Sequence, residues 1–219
     1  MRYDWCVKRQ TIMLPGDLDV RLRFEARRRG VSVATLVREA LEARFGQAAS
    51  SRPLSFVGSR YPYRERLIKE LLDFPLKLWG AGWQRAESPD IRALVAGGPV
   101  WGRAKLAIYS GSTLSLNHHH PINDIVGVNT RAFELAAAGA CQVVDLKDEL
   151  PALFAPGEEV IAYRDLDELK KHLTYYLAHA DEARAIGQNA LMRALRDHTL
   201  RHRIEEMLAV VEQRFGKRS

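Results

Sequence analysis

The densest chemistry in the sequence sits in the run Asn129-Thr130-Arg131-Ala132-Phe133-Glu134. A helix that begins at Asn129-Thr130 presents unpaired amides and the positive end of its dipole, which suits a diphosphate. Arg131 adds a cation within the first turn, and Glu134, one turn further on, is a carboxylate able to accept from both hydroxyls of a ribose. Amides and cations aimed at a diphosphate stabilise the negative charge that collects on it when a bond to it breaks, with no metal required. Arg60, Arg64 and Arg66 are further cations for the same anion. His118-His119-His120 resembles a metal cluster, but neighbours on a strand point to opposite faces, so only His118 and His120 share a side. Two ligands fall short of a zinc set. No metal and no cofactor is expected, and the histidines, His118 among them, read as loop residues at the mouth of a ligand crevice. Trp79 and Trp83 flank the turn Gly80-Ala81-Gly82, where either stacking on a base or packing against a sheet would suit them. No Ser-His-Asp or Cys-His arrangement stands out.

Elements able to position these residues run from Leu54 onward. Compact apolar segments at 54–58, 76–80, 91–96, 113–117, 141–145 and 159–163 read as strands. Helical patterns fall between them at 63–72, 101–109 and 130–138, and a helical tail covers 166–215 with breaks near Ala180 and His198. Strands alternating with helices predict an α/β fold, a Rossmann-like doubly wound parallel sheet that binds ligands at the carboxyl ends of its strands. Gly58, Gly80, Gly82 and Gly127 fall at or just beyond strand ends, where a ligand must approach the backbone closely. They make no GxGxxG fingerprint, which argues against a dinucleotide dehydrogenase.

The run GVNTRAFELAAAGACQVVDLKDELPALFAPGEEVIAYRDLDELKKHLTYYLAHADEARAIGQNA, from Gly127 to Ala190, resembles the spore-maturation CgeB-like glycosyltransferases, a branch of the GT-B class that uses nucleotide sugars. FVGSRYPYRERL, LKLWGAGW and LSLNHHHP fit the same family in order, so the resemblance spans residues 54–219. It implies the C-terminal, donor-binding half of such an enzyme. Carried over residue by residue, Gly58, Arg60, Gly80, Gly82, His118, Asn129, Thr130, Arg131 and Glu134 would hold the donor nucleotide, with Glu134 on the ribose. Many retaining members carry a second glutamate eight positions earlier, where this chain has Val126. The N-terminal GT-B half, which supplies the acceptor site, is expected to be missing, with the segment before residue 54 standing in its place. Hexosyl transfer is therefore expected only in company with an acceptor-binding half.

Residues 1–46 follow a different plan. Residues 9–14 alternate as a short strand, Pro15-Gly16 stops it, and a helix carrying Leu18, Leu22, Phe24 and Ala26 runs to Arg29. Gly30 ends that helix and Ser32 caps a second, in which Leu36, Val37, Ala40, Leu41 and Phe45 share one face. One strand and two short helices bury too little surface to stand alone, so a homodimer is expected. The pattern KRQTIMLP, helix, RRGVSVATLVREALEARFG resembles the ribbon-helix-helix repressors and antitoxins. That resemblance implies a strand pair in the DNA major groove, with Arg9, Thr11 and Met13 facing bases and Ser32 with the Val33 amide on a phosphate. Met13 departs from the usual polar or basic residue and offers only apolar contact. The ribbon serving as a dimerisation device alone is the other reading.

Charge agrees with that division. Residues 1–50 carry a net +4 of the chain's +6, and such density favours a polyanion through counterion release. Residues 47–53, small and polar and closed by Pro53, read as a linker. A chain 47% hydrophobic and 27% charged is neither disordered nor membrane-spanning in composition, and the first ten residues lack a signal-type apolar run, so the cytoplasm is the default location. Cys6 and Cys141 have no metal-type spacing and are expected as thiols. Two functions follow: a nucleotide-sugar glycosyltransferase domain on a dimerising module, or a DNA-binding regulator whose Rossmann domain senses a nucleotide sugar.

Overall fold

The computed structural model describes residues 16–41, 52–120 and 127–216. The chain divides into two compact units, Met1–Gln47 and Ala48–Ser219. In the first, α1 (Gly16–Arg29) and α2 (Val33–Leu41) form a helical pair. Ser32 caps α2, its Oγ accepting from the Thr35 amide at 3.0 Å, and this satisfies one donor that the helix start leaves open. Ala26 and Leu36 are buried between the helices. Of the apolar positions expected on α1, Leu18 and Phe24 are exposed instead, with Phe24 at 70% and neighbouring Val20 at 67%. The expected strand, with Arg9, Thr11 and Met13, lies outside the described residues.

The second unit is a six-stranded sheet in the order β3-β2-β1-β4-β5-β6, parallel throughout. Its strands are β1 (Arg52–Val57), β2 (Leu76–Trp79), β3 (Val95–Gly97), β4 (Ser112–Asn117), β5 (Gln142–Asp145) and β6 (Ile161–Tyr163). The helices are α3 (Pro62–Lys69), α4 (Pro89–Ala93), α5 (Gly102–Ser110), α6 (Thr130–Ala137), α7 (Leu150–Leu153), α8 (Leu166–Ala178), α9 (Ala180–Asp197) and α10 (Leu200–Phe215). This is the doubly wound Rossmann order, with its switch point between β1 and β4. Side chains are buried on both faces of the sheet, as a parallel sheet requires. Leu54, Leu76, Leu114 and Val143 are fully buried in the larger cluster, each contributing about 1.5–3 kcal/mol of transfer free energy. No helix among the described residues is long and apolar enough to cross a membrane.

Three expectations need correction. The strand expected at 91–96 is a short helix followed by a three-residue strand: Pro89 starts α4 and Ile91 is buried on its turn, leaving only Val95–Gly97 to pair with β2. The helix expected to reach 72 ends at Lys69, and 71–74 continue as single turns through the Leu71-to-Ile68 and Phe74-to-Leu71 bonds. β1 begins at Arg52, inside the segment taken for linker.

The element that holds the site is α6, and α9 fixes α6. A Cβ on Gly187 of α9 would fall 2.5 Å from the Gly139 carbonyl oxygen and 2.9 Å from the Cys141 amide. Only a glycine lets α9 lie this close to the turn between α6 and β5.

Candidate functional site

Asn117, fully buried, ends β4 beside the switch point and starts a polar chain. Its Nδ2 donates to Gln142 Oε1 and Asn129 Oδ1, both at 3.2 Å, and its Oδ1 accepts from Asn129 Nδ2 at 2.9 Å. Asn129 Oδ1 also accepts from the Ala132 amide, so Asn129 is the cap of α6. The Asn129 amide donates to His119 Nε2 at 2.9 Å. An amide can only donate, so Nε2 is the acceptor and the ring proton sits on Nδ1, from which it is donated to Asp145 Oδ1 at 2.7 Å. The His119 backbone amide donates to the same oxygen at 2.8 Å. Burial alone would push the Asp145 carboxyl up, but the hydrogen bonds from the His119 ring and backbone amide outweigh it and hold Asp145 below the usual carboxylate range.

That framework leaves the head of α6 open. Among the described residues, the amides of Thr130 and Arg131 donate to no protein group. They border a crevice of about 220 Å³ whose wall includes Arg64, Lys105, His119, His120 and Glu134. Two guanidinium groups of its wall flank the Phe56 ring, Arg64 at 5.4 Å and Arg131 at 5.5 Å from the ring centre. Arg64 is only 7% exposed; its Nη1 donates to the Ser59 carbonyl at 2.9 Å and its Nε has no partner. Burial and then the like charge of Arg131 push the Arg64 pKa down. Arg131 Nη1 donates to Asn117 Oδ1 at 3.2 Å. Among the described residues neither arginine has a carboxylate partner. Two partly desolvated cations without a counter-charge, beside open amides, make a site that favours an anion.

The other sequence candidates fall around it. Glu134 is exposed at the mouth and paired with Lys105 of α5, so its carboxylate is engaged. Arg60 is turned aside in an ion pair with Glu65, whereas Arg64 of α3 lines the crevice. His118 lies outside the lining, its Nδ1 at 2.8 Å from the Tyr163 hydroxyl and its rings stacked; burial pushes it below the usual histidine range. Gly58 follows β1 and lies against Arg131: a Cβ there would meet Arg131 Nη2 at 3.0 Å. The place a Cβ would take on Gly80 is filled by the Gly58 carbonyl, and Gly82 starts the turn at Trp83. Trp83 is fully buried and donates its indole N–H to the Gly58 carbonyl at 2.7 Å, so it packs and is unavailable for stacking on a ligand. No group of three or more His, Cys, Asp or Glu able to hold a metal occurs among the described residues. Lys105, Asn117 and Asp145 were not singled out as working residues, and His119 was read only as one of three histidines at the crevice mouth; a polar residue closing an apolar strand, as at Asn117 and Asp145, was the available signal.

Known proteins match this architecture. Residues 52–209 match the model of the family described as glycosyl transferase-like. No curated protein matches the chain. Among solved structures, a sucrose-phosphate synthase from Thermosynechococcus elongatus aligns with a TM-score of 0.57 at 19% identity, over 80% of this chain and 48% of its own. A glycosyltransferase from Rickettsia africae gives 0.57 at 10% identity, over 84% and 53%. WaaG, a glycosyltransferase involved in lipopolysaccharide biosynthesis, gives 0.54 at 17% identity, over 80% and 50%. The chain thus spans about half the length of the structures it matches, and at these identities the likeness concerns the fold, a Rossmann-like GT-B one. With the family model covering most of its length, the chain belongs to the glycosyl transferase-like family.

Proposed function

We propose that the second unit holds a nucleotide-sugar donor, in the manner of the CgeB-like branch, for glycosyl transfer completed by an acceptor-binding half. The observation that carries this reading is the pair of uncompensated guanidinium groups, Arg64 and Arg131, beside the open Thr130 and Arg131 amides. A diphosphate supplies the missing negative charge, and the amides and cations would hold it as the bond to the sugar breaks. Glu134, at the outer end of the crevice, reaches a ribose once it leaves Lys105; the exposed pair contributes little, so exchanging it for ribose hydroxyls is cheap. Neither a cofactor nor a metal enters this reading. Calorimetry on the full chain, with uridine and guanosine diphosphate sugars and a chelator present, should give a measurable affinity. No heat of binding from either at millimolar concentration would rule the donor site out.

For residues 1–46 we propose half of a ribbon-helix-helix dimer. Its support is the Ser32-capped helical pair together with the exposed apolar surface of Leu18, Val20 and Phe24, which a second copy would cover. Deleting 1–46 should convert a dimer into a monomer in sedimentation; an unchanged dimer would exclude it. DNA binding through Arg9, Thr11 and Met13, with a phosphate at Ser32 and Val33, extends this reading and makes the regulator its alternative. Arg9→Ala should then weaken one DNA sequence by about 1–3 kcal/mol more than others.

A further inference from the structure

His119 occupies a position that anion contact does not explain. It is 6% exposed, and both ring nitrogens are committed, Nδ1–H to Asp145 and Nε2 to the Asn129 amide. It therefore joins the end of β5 to the cap residue of α6. The Asn129 amide is adjacent to the two open amides of the crevice, so whatever moves Asn129 moves them.

We infer that His119 is a positioning residue that sets the anion-binding head of α6 only while its ring is neutral, which makes donor binding weaken as the pH falls. This rests on the donor-site reading above. A protonated imidazole has no acceptor. Protonation would set two N–H groups against each other where His119 now accepts from Asn129, and the cap would have to shift. The sign is the reverse of ordinary electrostatics, in which a new positive charge beside an anion site strengthens binding.

The surrounding groups are consistent with that sign. Asp145 is held ionised, and Lys147 lies 3.9 Å from its other oxygen. His118, 3.8 Å from Asp145 and bonded to Tyr163 of β6, is kept neutral by burial further into acid. From α3, Arg64 is charged throughout, and Tyr63 is pushed up by burial and stays neutral. From the same loop, His120 lines the crevice beside Tyr61 and Tyr63, and its protonation would strengthen anion binding, so a His120→Gln background removes that opposing change.

The test uses the full chain and uridine diphosphate glucose or guanosine diphosphate mannose, whose two phosphates keep one negative charge each through mild acid. In the His120→Gln background, affinity should fall about tenfold between about pH 8 and pH 5.5. His119→Gln places an amide oxygen near the Nε2 position; it should keep the high-pH affinity and lose the pH dependence. His119→Phe fills the space without an acceptor and should bind about tenfold more weakly at both pH values. Affinity that is flat or rises toward acid in the His120→Gln protein, or a pH dependence retained in His119→Gln, would overturn the inference while leaving the donor site standing. Absence of any binding at the higher pH would instead overturn the donor-site reading.

Discussion

Replacing Gly80 with alanine probes how closely the strand ends are packed beneath the crevice. A Cβ on Gly80 would lie 2.1 Å from the Gly58 carbonyl oxygen and 2.5 Å from its carbon, where real contacts stay beyond 3.0 Å. Gly80 also has φ 144°, a conformation that side chains strain against. Gly58 has little room to retreat. Its amide donates to the Trp79 carbonyl at 2.8 Å and its carbonyl accepts from the buried Trp83 indole at 2.7 Å. Strain of about 1–3 kcal/mol and two damaged hydrogen bonds at about 0.5–1.5 kcal/mol each place the loss at about 2–6 kcal/mol. That is a large fraction of a typical domain's stability of about 5–15 kcal/mol. Urea unfolding followed by tryptophan fluorescence measures it directly. Displacing Gly58 also disturbs Arg131, which lies against it, so nucleotide-sugar affinity should fall even where the variant remains folded. A loss under about 1 kcal/mol with unchanged affinity would refute the packing argument.

Arg131→Ala should weaken pyrophosphate and nucleotide sugar alike, by about 1.5–3 kcal/mol in calorimetry, if, as proposed, it makes a charge-assisted contact to the diphosphate. Glu134→Gln should weaken the nucleotide sugar and leave pyrophosphate unaffected if, as proposed, that carboxylate serves the ribose; equal losses on both would place Glu134 elsewhere. Burial pushes the Cys141 thiol up to about 12, so iodoacetamide at about pH 8 should spare it in the native chain and label it after unfolding. The raised value has a definite sign: the native state keeps its proton longer than the unfolded one, so this contribution is complete below the ordinary thiol range and is lost as the pH climbs toward 12. Urea midpoints above about pH 9 should therefore fall less steeply for Cys141→Ala than for the unmodified chain.

Much of the second unit could be read from local pattern. Apolar runs such as Leu54-Ser55-Phe56-Val57 and Gln142-Val143-Val144 announced buried parallel strands, and Asn129-Thr130 announced the start of α6, because strand burial and helix capping depend on residues a few positions apart. The glycines at strand ends were visible too, but their purpose was not. Gly80 makes way for the Gly58 carbonyl, a neighbour across the sheet that no local spacing reveals. Local pattern misjudged 91–96 for a related reason: Pro89 favours a helical start, and the apolar Ile91 serves a helix and a strand equally well. At the site, Arg131 and Glu134 were evident as charges, whereas their partners were not, since Asn117 lies 14 positions from Arg131 and Lys105 lies 29 from Glu134. The three histidines carried the largest ambiguity. Composition marks them only as possible ligands; the folded chain turns His118 to Tyr163, ties His119 between Asp145 and Asn129, and leaves His120 on the crevice wall. Residue type and spacing thus determined which groups were available and which elements carry them. Which cations lack a counter-charge, which amides stay open and which histidine nitrogen holds the proton depend on contacts between distant segments, and only the tertiary structure decided those.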